Sequence, residues 1–138
     1  VNHSREDTLG DNLREQLLFF DENGTDIINT YPNLADRMHL NKFIATYRHH
    51  IGQYLERSGN NAEEKYVWIG SKVTIRYEAE GDEETLTIVL PHQVDVELGH
   101  ISFLSPVGQH LLLSENGHRI EIDSPAGKYW ITVVNVSD

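Results

Sequence analysis

The chain has 138 residues, enough for one compact domain or for a small globular domain with a helical appendage. Its 22 Asp and Glu against 11 Lys and Arg give a formal net charge of -11, which opposes phosphate-backbone binding. Cysteine is absent, which excludes disulfides, thiolate chemistry and Cys-based zinc sites, and the longest apolar runs fall far short of the roughly 20 residues that span a bilayer.

The expected partner is therefore a protein, without direct sequence-specific nucleic-acid binding and without a membrane. The N-terminus is polar and charged and has no signal-peptide pattern, so a cytoplasmic location is expected. Upstream of the polar cluster Ser58-Gly59-Asn60-Asn61 the apolar residues recur at helical spacing. Leu13, Leu17, Phe20, Ile27, Ile28 and Tyr31 form one stripe; Met38, Leu40, Phe43, Ile44, Tyr47, Ile51, Tyr54 and Leu55 form another after Pro32. The pattern predicts an antiparallel helical hairpin over 1–61, a coiled coil in kind, followed by a strand-rich domain over 62–138.

Two registers are open for the turn of that hairpin. One turns at Asp21-Glu22-Asn23-Gly24, where Asn-Gly is a good turn former and Gly24 costs a helix interior about 1 kcal/mol relative to Ala. The other turns at Tyr31-Pro32-Asn33-Leu34. The second is favoured because the stripe stays in phase past Gly24, Pro32 stops the first helix and Asn33 can cap the next. The first helix is then expected to run about 20 residues, or roughly 30 Å.

Downstream, Tyr66-Val67-Trp68-Ile69 and the alternating Lys72 to Tyr77 predict strands, with Thr85 to Leu90 returning after the charged turn Glu80 to Glu84. After Pro91 a polar connection leads to His100-Ile101-Ser102-Phe103. Ser105 is a natural N-cap and Pro106 suits the first helical turn, so Val107 to Leu113 is expected to be a short helix. Asn116-Gly117 and Ser124-Pro125-Ala126-Gly127 turn the chain into two further strands, Arg119 to Ile122 and Tyr129 to Val134. The fold class is α+β, a helical hairpin followed by a small antiparallel sheet with one short helix.

Little of this carries chemistry of its own. Eight histidines are scattered, and His49-His50 are adjacent and point apart on a helix, so no metal site is expected. No serine stands in a G-x-S-x-G context and no glycine loop is built to cradle phosphate. The expectation is a protein that is not an enzyme and needs no cofactor, a monomer or weak dimer.

The segment from Ile101 to Val136 resembles the C-terminal domain of the Gre (GreA/GreB) transcription factors. In that family an "IS-x-x-SP-hydrophobic-G/A-x-x-LL" run precedes a "G-D-x-hydrophobic" strand and a "P-x-G" hairpin; here Gly117-His118 replaces Gly-Asp. The resemblance implies an FKBP-like domain behind a helical hairpin, with bacterial RNA polymerase as partner. It also implies that Leu104, Ser105, Pro106 and Val107 meet a coiled-coil element at the rim of the polymerase secondary channel. Cleavage-stimulating members insert the hairpin into that channel, where a tip Asp and Glu in a "D-x-x-E-N"-like motif help hold the catalytic Mg²⁺, a hard ion that takes oxygen ligands.

No such motif stands in this chain. The favoured register leaves Asp36 as the acidic residue of the tip, whereas the other crowds Asp21, Glu22 and Asp26 there. The chain accordingly resembles the short-hairpin, Rnk-type relatives that bind polymerase without promoting cleavage. A transcript-cleavage-stimulating factor and an FKBP-like protein-interaction or chaperone module, with an apolar, aromatic-lined cleft, are the alternatives.

Overall fold

The computed structural model of the chain describes residues 5–57 and 66–137. The expected linker Ser58-Gly59-Asn60-Asn61, and with it the expected boundary between 61 and 62, lies outside the described residues. The chain divides into two compact units, Val1–Ala62 and Glu63–Asp138.

In the first unit, α1 (Arg5–Asn29) and α2 (Leu34–Arg57) form the hairpin. Leu13, Gln16 and Phe20 on α1, and Leu40, Ile44, Tyr47 and Ile51 on α2, are buried at the alternating three- and four-residue steps of a coiled-coil seam. Gln16 belongs to this seam because its Oε1 accepts the Tyr47 hydroxyl at 2.5 Å, which satisfies both polar groups. Phe20 meets Tyr47 edge-on at 6.1 Å, and Arg48 pairs with Asp21 at the flank.

At 25 residues α1 is about 37 Å long, longer than the expected 20 residues and 30 Å. Its polar N-terminal turns lie opposite the end of α2, where a Cβ on Gly10 would sit 3.7 Å from Leu55 Cδ2. An apolar stripe that starts at Leu13 under-reports a helix that begins on polar residues. Met38 departs from its expected place in the stripe: it is 65% exposed, because the seam on α2 runs through Leu40 and Ile44 and turns Met38 outward.

The second unit is a five-stranded sheet in the order β3-β2-β1-β5-β4, made of β1 (Lys72–Tyr77), β2 (Glu83–Val89), β3 (His100–Ser102), β4 (Arg119–Ser124) and β5 (Gly127–Ser137). One short helix, α3 (Pro106–Leu111), follows β3. Val73, Ile75, Ile88, Ile122, Ile131 and Val133 fill the inner face together with Phe103 and Leu111. A bulge where β1 passes from Thr74 to Ile75 shifts the register of the long β5, which pairs on both sides.

Three local expectations are corrected. The sheet is mixed rather than wholly antiparallel, since β3 pairs parallel with β2. Two 3-10 turns, Pro91–Gln93 and Val96–Leu98, carry the chain back along β2, and Gly99 at φ 74° turns it so that its carbonyl accepts Thr87 N at 2.9 Å. The expected first strand at Tyr66-Val67-Trp68-Ile69 is reduced to a bridge from Tyr66 to Glu115, because the Trp68–Ser71 turn ends it. Helix α3 stops at Leu111 instead of Leu113: Leu113 enters the left-handed region at φ 68° and its N–H bonds Val67 O at 2.7 Å.

Candidate protein-docking site

Leu104, Ser105, Pro106 and Val107 form the turn from β3 into α3, and hydrogen bonds at Leu104 and Ser105 hold its start in place. Ser105 Oγ accepts the Gly108 N–H at 3.0 Å and donates to Ser102 O at 2.7 Å. Leu104 N–H reaches Ser102 Oγ at 3.0 Å, and Gln109 Nε2 donates to Leu104 O at 2.9 Å. Pro106 at the first helical position has no N–H to lose and holds φ in the helical range. Beneath the turn Phe103 is 1% exposed, and Gly108 lies against the backbone: a Cβ there would fall 2.2 Å from Ser102 O. A turn tied down in this way has little entropy to lose on meeting a partner.

Ser105, Pro106 and Val107 also form one wall of a cleft of about 340 Å³. Leu86, Ile101 and Val96 supply further apolar lining, and Tyr77 and Glu84 close the end at the β1–β2 hairpin. The Tyr77 hydroxyl donates to Glu84 Oε1 at 2.6 Å. Burial, followed by that hydrogen bond and the nearby Glu84 charge, raises the Tyr77 pKa above its ordinary value, so the phenol stays neutral. Next to the cleft Val94, Val96 and Leu98 are exposed, Val96 at 85%.

Sequence reading placed 105–107 at a helix start and took a docking role for them from the family resemblance, without bringing Tyr77, Glu84, Val96 and Ile101 beside that helix start. A signal for two of them was present: the alternation Val73-Ile75-Tyr77 places Tyr77 on the inner face, and Glu84-Leu86-Ile88 places Glu84 there too. The cleft is largely apolar, but Tyr77 is the one aromatic residue among the described residues of its lining, fewer than the aromatic-lined cleft expected of a chaperone-like module would hold.

The hairpin tip is built differently. Helix α1 runs unbroken through Gly24, and the connection is Thr30-Tyr31-Pro32-Asn33. Asn33 Oδ1 accepts Ala35 N–H at 2.7 Å and Asp36 N–H at 3.3 Å, capping α2, while Arg37 binds the Tyr31 and Asn29 carbonyls that end α1. Asp36 is exposed in the first turn of α2, where a carboxylate suits the helix dipole. Asp26 lies about 4.5 Å along the axis from the end of α1. Glu22 and Asp21 are about 10 and 12 Å back, and Asp21 is engaged by Arg48. Asp26 and Asp36 thus lie within one turn of the connection, on either side of it, whereas Glu22 and Asp21 lie about two turns or more back along α1. Among the described residues no three His, Asp or Glu side chains are placed to hold a metal ion, and no helix is long and apolar enough to cross a membrane.

The family model described as "Transcription elongation factor, GreA/GreB, C-term" matches residues 62–138, the whole of the unit that carries the cleft. The chain belongs to the GreA/GreB family. It is 37% identical over 81 residues to the transcription elongation factor GreA of Roseiflexus castenholzii, covering 59% of this chain and 50% of that protein. The chain spans about half the length of the curated relatives it matches. Among solved structures it is similar to a prokaryotic transcription elongation factor GreA/GreB from Nitrosomonas europaea, at 27% identity and TM-score 0.56, covering 85% of this chain and 91% of the other. A likeness to Thermus aquaticus Gfh1, at 22% identity and TM-score 0.51 over 97% of this chain and 92% of the other, concerns the fold alone. A helical hairpin followed by a sheet with one short helix is therefore the fold of the family, as the sequence pattern predicted.

Proposed function

We propose that this protein binds bacterial RNA polymerase near its secondary channel and modulates elongation or initiation without a catalytic group or cofactor of its own. The observation that carries the reading is the rigid Leu104-Ser105-Pro106-Val107 turn beside an apolar cleft, in the half of the chain that matches the Gre family. That turn is the docking element, and a cytoplasmic location follows from the partner. The non-cleaving form of the reading is supported by the tip: its nearest carboxylates, Asp26 and Asp36, stand on different helices with Thr30 to Asn33 between them in place of a D-x-x-E-N-like pair, and Asp21 and Glu22 lie back along α1.

Ser105→Asp and Pro106→Asp test the docking role. Asp suits the first helical turn, so Pro106→Asp is expected to keep the fold while placing a charge on the docking turn; Ser105→Asp keeps the cap on Gly108 N–H but loses the donation to Ser102 O, so its unfolding midpoint is measured alongside. Retention of purified core polymerase on the immobilised variants should drop at least tenfold, about 1.4 kcal/mol. Undiminished retention by the folded variants would refute the docking assignment.

A further inference from the structure

We propose that Glu84, oriented by Tyr77 at the end of the cleft, reads a lysine or arginine that flanks the apolar side chain seated there. The inference rests on the docking reading above and deepens it: it states which charge the polymerase segment must carry.

Of the residues that line the cleft, Glu84 alone is charged. Its carboxylate is exposed and is fixed by the Tyr77 hydroxyl at 2.6 Å on Oε1, which leaves Oε2 for a second donor. The cations nearby are occupied elsewhere. Arg76, on the opposite face of β1, pairs with Glu83 at 2.7 Å, and Arg119 pairs with Glu78 at 2.7 Å. Among the described residues no Lys, Arg or His forms an ion pair with Glu84. Further carboxylates lie around it: Glu80 and Asp82 occupy the same hairpin, Asp95 and Glu97 flank the exposed Val96, and all four are exposed.

A partner that covers the cleft takes Glu84 out of water. With a cation beside it the carboxylate is compensated; with a neutral or acidic segment it is left buried and unpaired, which penalises that segment. The apolar walls supply the anchor for the side chain, and the pre-oriented carboxylate supplies the discrimination. A neutral phenol suits the tether, because it donates to the carboxylate without cancelling its charge.

The alternative role for the Tyr77–Glu84 pair is structural, tying the two strands of the hairpin together. The two roles predict different measurements. Binding of purified core polymerase to the full chain would be measured at low and at moderate salt for wild type, Glu84→Gln and Glu84→Lys, with unfolding midpoints taken in parallel. Glu84→Gln should weaken binding by about two- to fivefold and Glu84→Lys by about tenfold or more at low salt, with the gap narrowing as salt screens it. Midpoints should stay near wild type. Wild-type affinity in both variants at low salt would overturn the proposal while leaving the docking reading in place. Absence of binding by wild type itself would overturn the docking reading, and this proposal with it.

Discussion

Gly108→Ala sets two physical effects against each other on the turn from β3 into α3. Helix propensity alone favours Ala over Gly by about 1 kcal/mol, so a free α3 would be stabilised. The structure predicts the opposite sign. The new Cβ would lie 2.2 Å from Ser102 O, 2.9 Å from Ser105 Oγ and 3.0 Å from Phe103 Cα. The first obstacle is a backbone carbonyl that cannot swing aside, since it accepts both Ser105 N–H at 3.0 Å and Ser105 Oγ–H at 2.7 Å. Restoring ordinary contact moves α3 by more than an ångström away from Ser102 O. Overpacking of this kind costs about 1–3 kcal/mol. Each cap hydrogen bond stretched in the process adds about 1 kcal/mol. Set against the propensity gain, the net loss is about 2–3 kcal/mol.

Tryptophan fluorescence suits the assay, because Trp68, which is buried, and Trp130, which is partly exposed, both belong to the sheet unit. With a guanidinium slope of about 2 kcal/mol per molar, the midpoint should fall by about 1–1.5 M. An unchanged or raised midpoint would refute the argument that Gly108 is required by close backbone approach.

Two other outcomes are expected. Gly24 lies inside α1 with nothing within 4 Å of an added Cβ, so Gly24→Ala should stabilise the hairpin unit by about 1 kcal/mol; a loss of stability would argue for a turn at Gly24. Tyr77 has its pKa raised by burial first and then by its bond to Glu84, with Tyr129 and Glu80 adding to the charge around it. As pH rises past the ordinary tyrosine value of about 10, the unfolded chain releases this proton while the folded chain keeps it. The stability is therefore intact below about pH 10 and lost progressively above it. Unfolding midpoints of wild type should fall more steeply between pH 9 and 11 than those of Tyr77→Phe, and parallel profiles would contradict this.

Much of the architecture was legible because its signals are local. The two apolar stripes predicted the hairpin, Pro32 and Asn33 marked its turn, and Ser105-Pro106 marked the start of α3. What escaped reading depends on partners distant in sequence. Gln16 is polar and enters the seam only because Tyr47 donates to it. Leu113 leaves the helix only because Val67 accepts its N–H, and β3 runs parallel only because the chain folds back over β2 through Gly99. The cleft joins residues from β1, β2, the Val96 turn, β3, the start of α3 and the end of β4, a grouping that no single stretch of sequence announces. The favoured register already runs α1 through Gly24, and with it Asp21 and Glu22 fall well back from the turn.

The central claim is a polymerase-binding regulator that does not cleave. Backtracked elongation complexes carrying labelled nascent RNA would be incubated with the purified protein, and both complex retention and RNA length would be followed. Retention of the protein on the complexes without any increase in RNA shortening is the predicted result. Stimulated cleavage of the nascent RNA would contradict it and would point to Asp26 and Asp36, the carboxylates nearest the turn, as metal-holding groups.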